Sequence, residues 1–377
     1  MRPRLLSVSN GHGEDLIAAE ILRHLAEAEV EVVAYPLVGL GEAYPPQIAR
    51  LEPRRTFPSG GFAFRQGNPG LLADFRSGFI RFWLAQRRTL AEQRGRLRLA
   101  LAVGDYYCLA MALRAGAPAV LVASADSVFG GPFGPLPLQV LRRARRVFTR
   151  DTPTAEYLRK RRVRAECLGN PMLDCLRPTG TDFGLAPDQP VITLLPGSRI
   201  EAARNAVLLA QVAARVGEFR SDARFLLSLA PTVDEGIVTE TLRQAGGQIH
   251  DSTIQFGGAR LLVTRAFADA IARAVAVVGM AGTAHEQAAG LGKPVVAFPG
   301  PGPQFTRAFL DLQRKLLGEA VVAVSSPDQA AGAILRLLSS PEELRWRGQV
   351  GRERMGEPGA AARIAAEIRA LLAAPEV

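Results

Sequence analysis

Cysteine and lysine are almost missing from this chain. Of 377 residues, three are cysteine (Cys108, Cys167, Cys175) and three are lysine (Lys160, Lys293, Lys315). Three thiols make no disulfide framework, and without nearby histidines their spacing fits no zinc site. Aromatic residues make up only 6%. No run approaches the ~18 uncharged apolar residues that a membrane span needs. The first residues, MRPRLLSVSNGHGED, reach Gly, His, Glu and Asp too soon for a secretory signal. What is present, 48% hydrophobic and 22% charged residues, excludes a disordered chain. The length suits two domains of roughly 150–190 residues. The expectation is a cytoplasmic chain without a structural metal.

The positive charge is unevenly spread. Residues 1–177 carry 26 Lys and Arg against 16 Asp and Glu, whereas residues 178–377 carry 20 against 20. A local positive field attracts nucleic acid, anionic membrane surfaces or phosphorylated substrates, and charge alone does not choose among them. Residues 54–98 concentrate ten Arg and interleave them with Phe57, Phe62, Phe64, Phe75, Phe79, Phe82 and Trp83. The stretch GLLADFRSGFIRFWLAQRRTL reads as a helix with a broad apolar face and an arginine rim. Such a helix either packs on the core with a solvated face or dips into an anionic bilayer through Phe79, Phe82 and Trp83.

Short apolar runs alternate with amphipathic stretches along most of the chain. RLLSVSN, VEVVAYP, LRLALAVGD, PAVLVAS, RRVFTRD and RAECLG read as strands of a first half. VITLLPG, ARFLLSLAP, AVAVVGMAG, PVVAFPG and AVVAVSS repeat the pattern in a second. Strands apolar on both faces, alternating with helices, predict parallel sheets covered on both sides. The Pro, Gly and Asp cluster in NPMLDCLRPTGTDFGLAPDQP marks a linker, with the boundary near Pro178. The fold class is therefore α/β, with two doubly wound domains.

Four glycine-rich turns each follow a predicted strand and open a predicted helix, which places them on the ligand-binding edge of such sheets. The first is Ser9-Asn10-Gly11-His12-Gly13-Glu14-Asp15. It is not G-x-G-x-x-G, which argues against a nicotinamide or flavin cofactor. Glu14 and Asp15 suit a first helical turn, where acids complement the dipole. His12 stands on the turn itself between two glycines. The second turn, Gly104-Asp105-Tyr106, puts a carboxylate at the end of an apolar strand, where it serves as a general base or a helix cap. The third, Pro196-Gly197-Ser198-Arg199, gathers backbone N–H groups, a hydroxyl and a guanidinium fork at one helix start, suited to a diphosphate. In the fourth, Gly282 and Thr283 open a helix for phosphate, and Glu286 one turn on can accept from ribose hydroxyls. Gln304 follows in a Pro- and Gly-rich loop.

LLPGSRIEAARN, GNPMLD and GMAGTAHEQAAGLGKPVVAFPG resemble lipid-A-disaccharide synthase and its relatives, specifically in the second half and more loosely in the first. The resemblance implies the GT-B fold, two Rossmann-like doubly wound parallel-sheet domains facing a central cleft. Residues 1–177 would form the acceptor and membrane domain, with 54–98 as its basic amphipathic segment. Residues 178–355 would form the nucleotide-sugar domain, and a C-terminal helix in 356–377 would pack back on the first. It implies an inverting, metal-independent transfer from a UDP-sugar to a lipid, with GlcNAc as the sugar, no cofactor, and a peripheral location on the inner face of the cytoplasmic membrane. Gly197, Ser198, Arg199, Gly282 and Thr283 would meet the donor diphosphate, and Gln304 would join the donor site. Glu286 would hold the ribose. Asn10, Gly11 and Gly13 would form the phosphate or acceptor loop, and His12, Asp105 and Asp15 would be the catalytic candidates. Where the family reads Ser-Gly-Asp, this chain has His12-Gly13-Glu14-Asp15, so only Asp15 clearly matches. A nucleic-acid partner is not expected, since no nucleic-acid module motif appears; a homodimer is left open. A UDP-sugar 2-epimerase of the same fold, or a non-catalytic nucleotide-sugar or nucleic-acid binder, would explain fewer of these features.

Overall fold

The computed structural model describes residues 2–25, 30–55 and 78–374. Two compact units divide the chain: residues 1–175 with 358–377, and residues 176–357.

The first unit is built on a seven-stranded sheet. Its strands are β1 (Arg4–Ser9), β2 (Glu31–Pro36), β3 (Ala49–Arg50), β4 (Leu99–Gly104), β5 (Ala119–Ala123), β6 (Arg146–Thr149) and β7 (Ala165–Glu166). They lie in the order β3-β2-β1-β4-β5-β6-β7, all parallel. Every residue of β4 and β5 is buried, the outcome of a sheet covered on both faces. The helices are α1 (His12–Arg23), α2 (Phe79–Ala91), α3 (Tyr106–Ala112), α4 (Pro135–Leu141) and α5 (Thr152–Arg159). The strand order reverses between β1 and β4, so a crevice opens there at the carboxyl ends.

The second unit carries an eight-stranded sheet: β8 (Val191–Leu195), β9 (Arg224–Ser228), β10 (Gln248–His250), β11 (Thr253–Phe256), β12 (Ala259–Thr264), β13 (Ala276–Gly279), β14 (Val295–Ala297) and β15 (Val321–Ala323). The order is β10-β11-β12-β9-β8-β13-β14-β15. The β10-β11-β12 meander is antiparallel and the other pairings are parallel. Its helices are α6 (Ala202–Phe219), α7 (Glu235–Gln244), α8 (Phe267–Arg273), α9 (Thr283–Gly290), α10 (Arg307–Leu317), α11 (Pro327–Ser339) and α12 (Pro341–Met355). Here the order reverses between β8 and β13.

The last helix, α13 (Ala360–Ala373), belongs to the first unit and packs on α1. GNPMLD anchors it: the Asp174 carboxylate accepts from the backbone N–H groups of Gly359 and of Ala361, the latter at 2.7 Å. In the second unit, Asp269 accepts from the backbone of Thr179, Gly180 and Thr181 at 2.8–3.2 Å and pins the linker to the end of α8. Burial raises its carboxyl, but the Thr179 hydroxyl, donating at 3.0 Å, and these backbone donors together hold it below the usual range.

Residues 56–77 of the segment 54–98 lie outside the described residues, and so does the Phe79 side chain. Helix α2 itself corrects one expectation. Phe82 is buried, because it shares the inner face of α2 with Gln86, whose amide donates to the Leu37 carbonyl at 2.9 Å. It is core and not a membrane anchor. Trp83 is half-buried beneath the Arg87 guanidinium, 4.3 Å from the ring centre. Among the described side chains of α2, the exposed apolar ones are Ile80 and Leu84, 54% and 51% accessible and one helical turn apart.

Candidate functional site

In the first unit, the turn after β1 and the turn after β4 meet at the switch point. Gly11 caps α1, and its carbonyl accepts from Asp15 N–H at 2.8 Å. His12, the first helical residue, is exposed. Gly13 is exposed as well, and a methyl group placed on it would touch nothing within 4 Å. The Asn10 side-chain oxygen is buried without a hydrogen-bond partner.

Asp15 points the other way. It is 2% exposed and accepts from the Ser9 hydroxyl at 2.5 Å, and Ser9 in turn shares a hydrogen bond with the Tyr44 hydroxyl at 2.7 Å. Burial pushes its carboxyl up to about 7, against the lowering effects of Ser9 and Arg50. Asp105 is the N-cap of α3, accepting from Cys108 N–H at 3.0 Å. Burial, aided by the neighbouring Asp126 charge, raises it to about 6 despite these backbone donors.

From the sequence Glu14 reads only as a dipole-complementing acid. Its side chain folds back across the turn. Its Oε2 lies 2.9 Å from where a Gly11 Cβ would stand, and its Cγ 3.6 Å from the equivalent point on Gly104. Burial first, then the charges of Asp105 and Asp15, push it up to about 7. Gly11, in the turn after β1, makes room for the carboxylate, and the side chain reaches the end of β4, a placement readable only once β1 and β4 are known to pair.

In the second unit, the third and fourth turns touch. Gly197 has φ +91°, and a Cβ there would stand 2.9 Å from the Met280 carbonyl oxygen. Only glycine combines that left-handed conformation with that approach. Met280 N–H donates to the Leu195 carbonyl at 2.9 Å, tying the ends of β8 and β13. Asn205 on α6 is buried and donates to the Pro196 carbonyl at 2.9 Å. Ser198 and Arg199 are exposed at the crevice. Gly282 caps α9 with no side-chain cap bond, and its carbonyl accepts from His285 N–H at 3.0 Å, which leaves the N–H groups of the exposed Thr283 and of Ala284 at the helix start. Glu286, half-buried, accepts from the Gln313 amide of α10 at 3.3 Å.

The loop after β14 completes this edge. Gly300 sits against Met280 and Asn205, Phe305 stacks edge-on with His285 at 5.5 Å, and Gln304 is exposed between them in sequence. His285 is fully buried, and desolvation lowers its imidazole to about 3. It is a neutral wedge behind the turn. Gly197, Ser198, Arg199, Gly282, Thr283, Glu286 and Gln304 thus share the carboxyl edge of one sheet. Asn10, Gly11, His12, Gly13 and Asp105 share that of the other. Asn205 was missed because nothing local distinguishes a helical asparagine that buttresses a loop nine residues back. Among the described residues, no group of three or more His, Cys, Asp or Glu is placed to hold a metal ion. No described helix is long and apolar enough to cross a membrane.

No protein-family model matches the chain. Over 221 residues, 52% of the chain, it is 27% identical to lipid-A-disaccharide synthase of Syntrophus aciditrophicus (strain SB); the match spans 55% of that relative. Among solved structures, the calicheamicin glycosyltransferase CalG4 superposes with a TM-score of 0.65 at 16% identity, covering 99% of this chain and 100% of that one. UDP-GlcNAc 2-epimerase from Neisseria meningitidis, bound to UDP-GlcNAc, gives 0.61 at 13% identity, covering 97% and 99%. The fold is GT-B, two Rossmann-like parallel-sheet domains, shared by glycosyltransferases and epimerases. In sequence the chain is similar, at a distance, to lipid-A-disaccharide synthase.

Proposed function

We propose that the protein is a glycosyltransferase that moves a sugar, GlcNAc or a close analogue, from a UDP-sugar to a lipid acceptor, working peripherally on the inner face of the cytoplasmic membrane. The observation that carries the reading is the second unit's switch point. There the Gly197 turn packs on Met280, two residues before an uncapped helix start at Gly282–Thr283, with Glu286 one turn further in. Such an edge supplies fixed N–H donors and a guanidinium for a diphosphate, and a carboxylate for ribose hydroxyls.

In this reading the acceptor hydroxyl displaces UDP directly, with inversion at the anomeric carbon. Negative charge grows on the departing diphosphate, and Arg199 with the N–H groups at Ser198 and Thr283 stabilises it. Losing one such donor costs about 10²–10³ in rate. The test is radiolabelled UDP-GlcNAc incubated with total lipid extract, comparing the native protein with Arg199→Ala. Labelled lipid from the native protein, lost with Arg199→Ala while the variant stays folded, is the expected result. Full turnover by Arg199→Ala removes the diphosphate assignment. The carboxylates Glu14 and Asp105 favour one second reading, a UDP-sugar 2-epimerase, which would return epimerised donor and no labelled lipid.

A further inference from the structure

Displacement at the anomeric carbon leaves one proton to be taken from the acceptor hydroxyl. Asp15 is turned into the Ser9–Tyr44 network, and Asp105 is engaged in capping α3. His12 is exposed on the outer side of the turn. Glu14 differs from all three. Its carboxylate lies over the side-chain-free Gly11 in the turn after β1, and its Cγ passes Gly104 at the end of the adjacent strand β4. The space over Gly13 beside it is open.

We infer that Glu14 is the base of this reaction, with Asp105 as the positioning residue that borders it. The inference rests on the transfer reading above. In the step, the acceptor O–H bond breaks and its proton passes to a Glu14 carboxylate oxygen. The oxygen's electron pair forms the new bond to the anomeric carbon. The bond from that carbon to the UDP oxygen breaks, and its electron pair leaves with UDP. Atoms and charge balance without a further reactant. The groups facing Glu14 are Asp105 and the buried Cys108 thiol from the β4 side and Asp15 from its own helix. Among the described residues no cation is paired with it. A carboxylate crowded by two others and half-removed from water keeps its proton toward neutral pH, where a base has most use.

The experiment measures transfer from radiolabelled UDP-GlcNAc to total lipid extract between pH 5 and pH 9. It compares the native protein with Glu14→Gln, Glu14→Asp, His12→Ala and Asp105→Asn. UDP binding by calorimetry checks the donor site in the second unit, and thermal melting together with hydrogen exchange at β1 and β4 checks that the first unit of each variant folds. The native rate should rise about tenfold per pH unit and level off near 7. Glu14→Gln should lose about 10²–10⁴ in rate, along with that rising limb, while binding UDP as the native protein does. Glu14→Asp should recover part of the rate. A Glu14→Gln protein that transfers at the native rate with the native profile overturns the assignment and leaves the transfer reading standing. So does a rising limb that disappears only in His12→Ala. If the native protein binds UDP but labels no lipid at any pH, the transfer reading fails and the assignment falls with it.

Discussion

Asp15 offers the sharpest physical test, because its environment fixes both a sign and a size. The carboxyl is 2% exposed and is raised from 3.8 to about 7, chiefly by burial. The folded state therefore holds this proton to higher pH than the unfolded chain does. Its contribution to stability is complete below about pH 4 and is lost as the pH rises through 7. One pKa unit corresponds to about 1.4 kcal/mol, so between pH 5 and pH 8 roughly 2–3 kcal/mol disappears. Asp15→Asn keeps the shape and an oxygen that can accept from Ser9, yet cannot ionise. Urea unfolding at several pH values, with hydrogen exchange at β1 and α1 as the local probe, compares the two proteins. The stability of Asp15→Asn relative to the native protein should improve by roughly 2–3 kcal/mol from pH 5 to pH 8. Asp105 tilts the native curve the same way but remains in both proteins and cancels in the difference. Glu14 cancels in the main, because burial, shared by both proteins, is a larger cause of its shift than the Asp15 charge. Parallel curves would refute the argument, showing that water or a cation reaches Asp15.

Two further outcomes follow from the same geometry. Gly13→Ala adds a methyl group into open space at a helical position, which by itself stabilises by about 0.5–1 kcal/mol. The melting temperature should hold or rise while transfer falls at least tenfold; unchanged turnover would mean that no substrate approaches the α1 start. Ile80→Ser with Leu84→Ser removes the apolar pair that α2 exposes and leaves Phe82 in the core. Native protein should bind anionic vesicles partly in high salt, and the double variant should retain only a salt-sensitive component, since each buried aliphatic side chain contributes roughly 1.5–3 kcal/mol. Equal salt-resistant binding by both proteins would exclude this face.

The parallel strands that frame the two switch points were legible because each is a continuous apolar run ending in a glycine turn, and such runs survive only between two helical layers. The β10-β11-β12 meander was not. Its strands are three to six residues long and only partly buried, so they carry no continuous apolar signal. The donor edge was readable for a related reason. Gly197, Ser198, Arg199, Gly282 and Thr283 are contiguous at strand ends, where sequence proximity and spatial proximity coincide. The first unit's chemistry was harder because it depends on which way adjacent acids point. Glu14 and Asp15 are neighbours in the chain, and composition treats them alike. One helical step of about 100° turns Asp15 inward to Ser9 and leaves Glu14 across the ends of β1 and β4. The same angular argument sorts α2. Phe82 and Gln86, four residues apart, face the core; Ile80 and Leu84, also four apart, face outward. Counting aromatics groups Phe79, Phe82 and Trp83 on one bilayer face, whereas helical phase puts Phe82 inside and Ile80 and Leu84 outside.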